Sequence, residues 1–405
     1  MDDPKRDEPQ QQTPAQTPAQ WAVRWHVLVV TALLTIVVPV CHLVWHGLLG
    51  NTAPLLRTRS FVPAPPLSGA SLRNGQWMTA MEPYLREASP LTFWWRGTWS
   101  EALFRLGAPQ SRSVHFGSDG WLYMNHTVWP IPQLLQERAT SRRALFAAVK
   151  ARVEAAGAQL FVMIVPDKAR VYPEHAYPDG VLGVAKAPLY GAMLGELREL
   201  GIATVDLEAT MQAARAAQPE LLYKPRDTHW EPYGALAAAK AVAGAIEASP
   251  IAQRLPPRQQ VVIASRGTSM SVGDLVGMAG FLVLDDEGPP PRFVPLSLLT
   301  QGFAEPRDYY ISGAQTPAGP RGFTGDEPDA AILMAGTSFS KANGAHALRL
   351  TLGRPIRSVL NDGAGSVGSM RDLLDLLPTM PQTRLVIWEM VERGFFENDW
   401  QDPRL

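Results

Sequence analysis

The sequence predicts an α/β fold of three layers, a parallel sheet with helices on both faces, behind an N-terminal transmembrane helix. Three observations carry this reading. Short apolar runs rich in branched residues alternate with longer segments of helical periodicity, the pattern of a parallel sheet with crossover helices. The chain has 405 residues, 46% of them hydrophobic, enough for one large domain or two modest ones with a sizeable core. One uncharged run, VLVVTALLTIVVPVCHLVW from Val27 to Trp45, is long enough to cross a hydrocarbon layer of about 30 Å.

Residues 1–20 are rich in Gln and Pro and nearly free of apolar side chains, so they are expected to be a disordered cytoplasmic tail. The anchor is expected over residues 21–46. Trp21, Trp25 and Trp45 stand near its ends, where amphipathic rings favour the membrane interface, and Pro39 is tolerable inside such a helix. A cleaved signal peptide is the alternative; the run is long for one, and no A-x-A site follows it. Arg24 on the near side is balanced by Arg57 and Arg59 on the far side, so charge alone does not orient the segment. The Pro-rich residues after it belong to a linker expected at 47–75, and a globular domain is expected over 76–405.

Within that domain, a helical pattern through LLQERATSRRALFAAVKARVEAAGA ends near Gly157, and QLFVMIV follows as a buried strand. A helix near Leu189 to Leu200 leads to a short strand at IATVDL, and another helix starts near Tyr233. Near the C-terminus AAILMAG, IRSVL and RLVIWEM are three further buried strands. The stretch from about 255 to 325 breaks the pattern. It is rich in Pro and Gly, has a β piece at QQVVIAS, and is expected to be an insertion that wraps or covers the site.

Composition excludes several classes. Basic and acidic residues balance at 37 and 38, without the basic bias that nucleic-acid binding favours. Cys41 is the only cysteine, which rules out an internal disulfide and a thiolate zinc site. His115, His126 and His346 have no metal-ligand spacing. No metal and no cofactor are expected.

In an open α/β sheet the chemistry sits in loops at the carboxyl ends of the strands. AAILMAG is followed at once by Thr337, Ser338, Phe339 and Ser340. A Gly before a Ser at a strand-to-helix turn lets the backbone bend tightly and expose the hydroxyl beside free helix N–H groups, although a Ser there is as readily a plain helix cap. The second motif is RDTHWEPYG, Arg226 to Gly234. If that segment is extended, Asp227 and His229 project to one side, and the carboxylate can hold one imidazole nitrogen and leave the other for proton transfer. A capping Asp and a surface His are the bland alternative.

The pair DTHW and GTSFS resembles the signatures of the alginate O-acetyltransferase family of SGNH-hydrolase-like proteins. FGSDGWLY (Phe116 to Tyr123), VPDKARVYPE (Val165 to Glu174) and VIWEMVER (Val386 to Arg393) resemble further blocks of that family, in its order, over roughly residues 110–395. In this family Asp and His precede Ser, whereas ordinary SGNH hydrolases place Ser first; the present chain has the permuted order. The resemblance implies an SGNH-like sheet and a catalytic triad of Ser338, His229 and Asp227. It also implies transfer of acetyl groups, through an acetyl-serine, to hydroxyls of an exported polysaccharide. The triad alone equally serves a carbohydrate acetylesterase, and an inactive polysaccharide-binding or scaffold protein would keep the same fold.

Further residues are assigned weaker roles. The oxyanion hole is expected to use the Ser338 N–H and a neighbour, with Asn343 or Asn361 as side-chain donors. Trp230, Tyr172 and Lys168 are expected to line the cleft. Arg393 could hold a sugar or a carboxylate, an ion pair with Glu389 or Glu392 being its commoner use. The implied partners are the polysaccharide acceptor, a membrane-bound O-acyltransferase as acetyl relay and other exopolysaccharide export proteins, with the domain in the periplasm on a single inner-membrane anchor.

Overall fold

The computed structural model describes residues 67–83, 90–109, 111–259, 261–286, 292–316, 319–322, 330–361, 365–397 and 400. The expected tail, the anchor at 21–46 and the linker up to residue 66 lie outside these residues. Among the described residues no helix is long and apolar enough to cross a membrane. The last part of the expected linker is helical, not extended, over Gly69–Arg73. Its cause is a reciprocal cap: Ser68 Oγ accepts the Ser71 N–H, and Ser71 Oγ accepts the Ser68 N–H, both at 3.1 Å. The chain divides into two compact units, Met1–Arg96 and Gly97–Leu405. The division between these units falls inside the helix Pro90–Arg105.

The second unit opens with a hairpin of β1 (Val114–Phe116) and β2 (Leu122–Met124). Then come α1 (Ala139–Ala155), β3 (Gln159–Val165), α2 (Leu189–Glu199), β4 (Ala203–Thr204), α3 (Leu207–Ala217) and α4 (Pro232–Glu247). The expected strand at IATVDL shortens to β4 because Asp206 caps α3, its carboxylate accepting the Ala209 N–H at 3.0 Å. The insertion follows as β5 (Val261–Ser271), α5 (Asp274–Met278), β6 (Val283–Asp286), β7 (Arg292–Pro295), β8 (Glu305–Thr316) and β9 (Gly319–Gly322). The chain then returns to the main layers with β10 (Ile332–Gly336), α6 (Ala345–Leu352), β11 (Ile356–Leu360), α7 (Gly365–Leu376) and β12 (Leu385–Val391).

The five strands β11-β10-β12-β3-β4 form one sheet in that order, with every pairing parallel. Alternate residues of each central strand enter opposite cores. Phe161, Met163, Ile332, Met334 and Ile387 pack with side chains of α3, α4 and α6. Val162, Ile164, Leu333, Val386 and Trp388 pack with those of α1, α2 and α7. Both faces are covered, so the strands are apolar throughout rather than alternating. The insertion builds a third core, in which Val272, Leu275, Val276 and Phe281 meet Val114 and Leu122 of the hairpin.

Because the strands are parallel, their carboxyl ends share one edge. A buried ionic cluster braces it. Glu392, just past β12, is fully buried and accepts two bonds from Arg170 (2.7 and 3.0 Å) and the Asp167 N–H (2.9 Å). Lys186 donates to Asp167 at 2.6 Å and lies 3.2 Å from Glu392. Burial alone would raise the Glu392 carboxyl, but Lys186 and Arg170 hold it down at about 2. Removing one partner of such a cluster leaves an uncompensated buried charge. Arg170→Ala is therefore expected to cost about 3–5 kcal/mol of stability, measured by the shift of the urea unfolding midpoint.

Candidate active site

Strand β10 ends at Gly336, and Thr337 leads at once into helical residues Ser338 and Phe339, the strand-to-helix turn of the site. A Cβ at Gly336 would lie 2.3 Å from Ser340 Oγ and 3.0 Å from Glu389 Oε2, so only glycine fits. Glu389, on the neighbouring β12, is fully buried and organises the turn. Its carboxylate accepts the Thr337 N–H at 2.7 Å, the Thr337 hydroxyl at 3.0 Å and the Ser340 hydroxyl at 2.7 Å. Burial pushes the Glu389 carboxyl up, and these donors partly offset the rise. Beyond the turn the backbone is irregular through Asn343, at φ +80°, and regular helix resumes with α6.

The second loop precedes α4. Tyr223 and Trp230 form an isolated antiparallel bridge, and the Lys224 N–H donates to His229 O at 3.1 Å. The tip between them is a turn followed by bends, so the extended conformation considered for this segment is not the one adopted. Asp227 makes the geometry itself, its Oδ1 accepting the backbone N–H of His229 at 2.9 Å, as in an Asx turn. Lys168 staples the tip by donating to Lys224 O, Pro225 O and Asp227 O at 2.8–3.0 Å. Gly234 starts the way back, since a Cβ there would lie 2.2 Å from Leu222 O.

The two loops meet. Asp227 Oδ1 lies 2.7 Å from His229 Nδ1, and His229 Nε2 lies 2.8 Å from Ser338 Oγ. The three side chains form one chain of hydrogen bonds, with Nδ1 toward the carboxylate and Nε2 toward the hydroxyl. A further carboxylate comes from the insertion. Asp274 accepts the Thr228 N–H at 2.7 Å and the Thr228 hydroxyl at 2.5 Å. Burial, then the neighbouring Asp227, push the Asp274 carboxyl up. Donor atoms of Asp227, His229 and Asp274 lie within 4.8 Å of one another, close enough to share a cation. As placed, they are engaged with each other and with Thr228.

A small pocket is lined by Tyr123, Thr127, Lys168, Thr228, Phe339 and Arg393, among others; Thr228 and Phe339 are the chain neighbours of His229 and Ser338. Of the residues expected to bind substrate, Arg393 borders this pocket. It is half-buried and lies over the Phe339 ring at 5.4 Å. Among the described residues it has no ion pair: Glu392 is taken by Arg170 and Lys186, and Glu389 by the serine turn. Trp230 is fully buried, so no sugar can stack on it. Tyr172 is buried too, its hydroxyl accepting the Leu222 N–H at 2.9 Å. Lys168 borders the cleft, but its ammonium is turned to backbone carbonyls.

Asn343 is buried within the irregular turn. Asn361, past β11, binds Ser369 Oγ and Asp372. The N–H groups of Phe339 and Ser340 are already donated to Thr337, so the expected neighbour in an oxyanion hole is committed. Sequence reasoning missed Asp274 and the role of Glu389. An acidic residue inside the apolar run LVIWEMV was a signal for Glu389. Nothing distinguishes Asp274 among the acids of the insertion.

Comparison with known proteins gives the family and the fold. The family model described as an SGNH hydrolase-like domain, acetyltransferase AlgX, matches residues 114–392. A protein of Pseudomonas syringae pv. tomato named probable alginate O-acetylase AlgJ is 28% identical over 84% of this chain and 86% of its own. Its counterpart in Pseudomonas fluorescens is 30% identical over 83% and 82%. Among solved structures, the O-acetyltransferase domain of Pseudomonas putida AlgJ is similar in fold. Its TM-score is 0.55 at 24% identity, over 71% of this chain and 93% of that domain.

Trp230 joins the two loops, its indole N–H lying 3.0 Å from Phe339 O and 2.6 Å from Ala342 O. Trp230→Phe keeps an aromatic ring and deletes that donor. It is expected to cost about 1–3 kcal/mol, the penalty of leaving buried acceptors unpaired, read from chemical denaturation.

Proposed function

We propose, for a chain that belongs to the SGNH hydrolase-like acetyltransferase AlgX family, that Ser338, His229 and Asp227 transfer acetyl groups to hydroxyls of an exported polysaccharide. The carrying observation is the unbroken hydrogen-bond chain from Asp227 through His229 to Ser338. Ser338 Oγ attacks the acetyl carbonyl while its proton passes to His229 Nε2, and Asp227 holds the imidazolium through Nδ1. The Ser338 N–H is the donor assigned to the developing oxyanion. Collapse expels the donor's alcohol or thiol, which takes the proton from His229 and leaves an acetyl-serine. A sugar hydroxyl then gives its proton to His229 and attacks this ester, and Ser338 recovers the proton as it leaves. Water in the same place would release acetate, so the cleft must favour sugar over water.

The names of the relatives support alginate or a similar polymer as acceptor. Arg393, half-buried at the cleft and without an ion pair among the described residues, is the residue assigned to hold a carboxylate or hydroxyl of that polymer. The uncharged run at Val27 to Trp45 tethers the domain in the periplasm, beside a membrane-bound O-acyltransferase that relays the acetyl group. Tethering raises the effective concentration of each site for the other.

Ser338→Ala and His229→Ala are expected to lower acetyl turnover by at least ~10³-fold with unchanged melting temperature, because the members of such a triad act as a unit. Turnover of an acetyl-ester substrate and acetylation of the polymer are the measurements, and near wild-type rates in Ser338→Ala would refute the reading. Alkaline phosphatase fused after Leu405 is expected to be active. A well-expressed, inactive fusion would place the domain in the cytoplasm.

A further inference from the structure

The carboxylate of Asp274 is not spent on its own helix. Asp274 is the first residue of α5, whose N-cap is Gly273 at φ +83°, and both of its oxygens turn back to Thr228. Thr228 stands between Asp227 and His229 in the chain. The backbone N–H of Asp274 lies 3.3 Å from Asp227 Oδ2, and its Oδ2 lies 3.7 Å from His229 Nδ1. Asp274 thus engages Asp227 and Thr228 and stands beside His229. Its separation from Nδ1 is 1.0 Å greater than that of Asp227, 3.7 against 2.7 Å.

We infer that Asp274 is a positioning residue for the reaction, a reserve carboxylate that clamps the Asp227–Thr228–His229 turn and takes over the Nδ1 proton contact when Asp227 is lost. The inference rests on the triad reading. With Asp227 in place, Asp274 fixes Thr228 and adds a second negative charge behind the imidazolium that forms when Ser338 gives up its proton. The Thr228 hydroxyl, bonded to Asp274 Oδ2 at 2.5 Å, lies 3.2 Å from the same His229 Nδ1; with Asp227 truncated to Ala, a movement of about 1 Å by the Asp274 carboxylate past that hydroxyl brings Oδ2 into hydrogen-bond range of Nδ1. The insertion is then part of the catalytic support as well as a wall of the cleft, where Leu275, the next residue, also lies.

The test is a double-mutant cycle on the full-length chain, read as kcat for an acetyl ester, with melting temperatures alongside. Asp274→Asn is expected to lower kcat by about threefold in wild type and by about thirtyfold in Asp227→Ala. The tenfold excess is the coupling between residues that share a partner. In the Asp227→Ala background Asp274→Glu, which keeps the charge, is expected to retain most of the activity that Asp274→Asn loses. Asp274→Ser replaces Asn if that variant does not fold. An equal loss in both backgrounds, or Glu no better than Asn, would overturn the inference, since a merely structural contact behaves that way. An Asp227→Ala enzyme as inactive as Ser338→Ala would overturn it as well. An active Ser338→Ala would instead bring down the triad, and the role of Asp274 with it.

Discussion

The indole of Trp230 is the contact on which the site depends. Ser338 and His229 are separated by 109 residues and stand on loops that share no secondary structure. A serine hydroxyl and an imidazole nitrogen must be within about 3 Å to exchange a proton, and two independent loops would not hold that distance. Trp230 follows His229 directly, and its N–H reaches the carbonyls of Phe339 and Ala342 on the serine loop. Its ring meets Phe339 edge to face. Close fit beneath it is set by Gly344, where a Cβ would come within 2.8 Å of the indole. The most polar part of the site is thus aligned by a buried aromatic side chain.

Buried carboxylates do the complementary work. Removing a carboxylate from water is costly unless donors replace the lost hydration. Glu389 and Glu392 stand three residues apart at the end of β12, and both are fully buried. Glu392 is offset by cations and locks the segment after β3 to the segment after β12. Glu389 is offset by two hydroxyls and an N–H of the serine turn. The first brace is electrostatic and fixes the sheet edge. The second is a set of short hydrogen bonds that fixes one loop, and it constrains the turn only while all its donors are present.

Much of this could be read from the sequence. The apolar runs at 159–165, 332–336, 356–360 and 385–391 became strands because branched and large apolar residues on both faces need a doubly covered sheet. The Ser338, His229 and Asp227 side chains were identified from local motifs, and the folded chain brings all three together. The sugar-binding roles of Trp230 and Tyr172 fail for a common reason. An aromatic residue beside a catalytic motif is equally suited to stacking on a sugar and to packing under the loop, and sequence carries no burial. Asp274 was invisible because its partner, Thr228, is 46 residues away and the insertion that carries Asp274 has no regular period. An extended segment would put Asp227 and His229 on one side. The side-chain bond from Asp227 to the following backbone makes a bend instead, a local competition that periodicity cannot register.

The sheet order explains why the serine can come last in the chain and still face the other two groups. Taken in spatial order, β11-β10-β12-β3-β4 places β10 between β11 on one side and β12 on the other. The chain leaves β10 for β11 on one side and β3 for β4 on the other, so the connections part between β10 and β3, with β12 between them. A crevice opens where such connections part, and Ser338 stands at its border. All five strands are parallel, so the segments after β3 and β12 reach the same edge wherever they fall in the sequence. Lys168 comes from the first of these segments and Arg393 from the second, and both border the cleft. Chain order is therefore free to vary, while the nucleophile stands at the end of β10, which borders the point where the connections part.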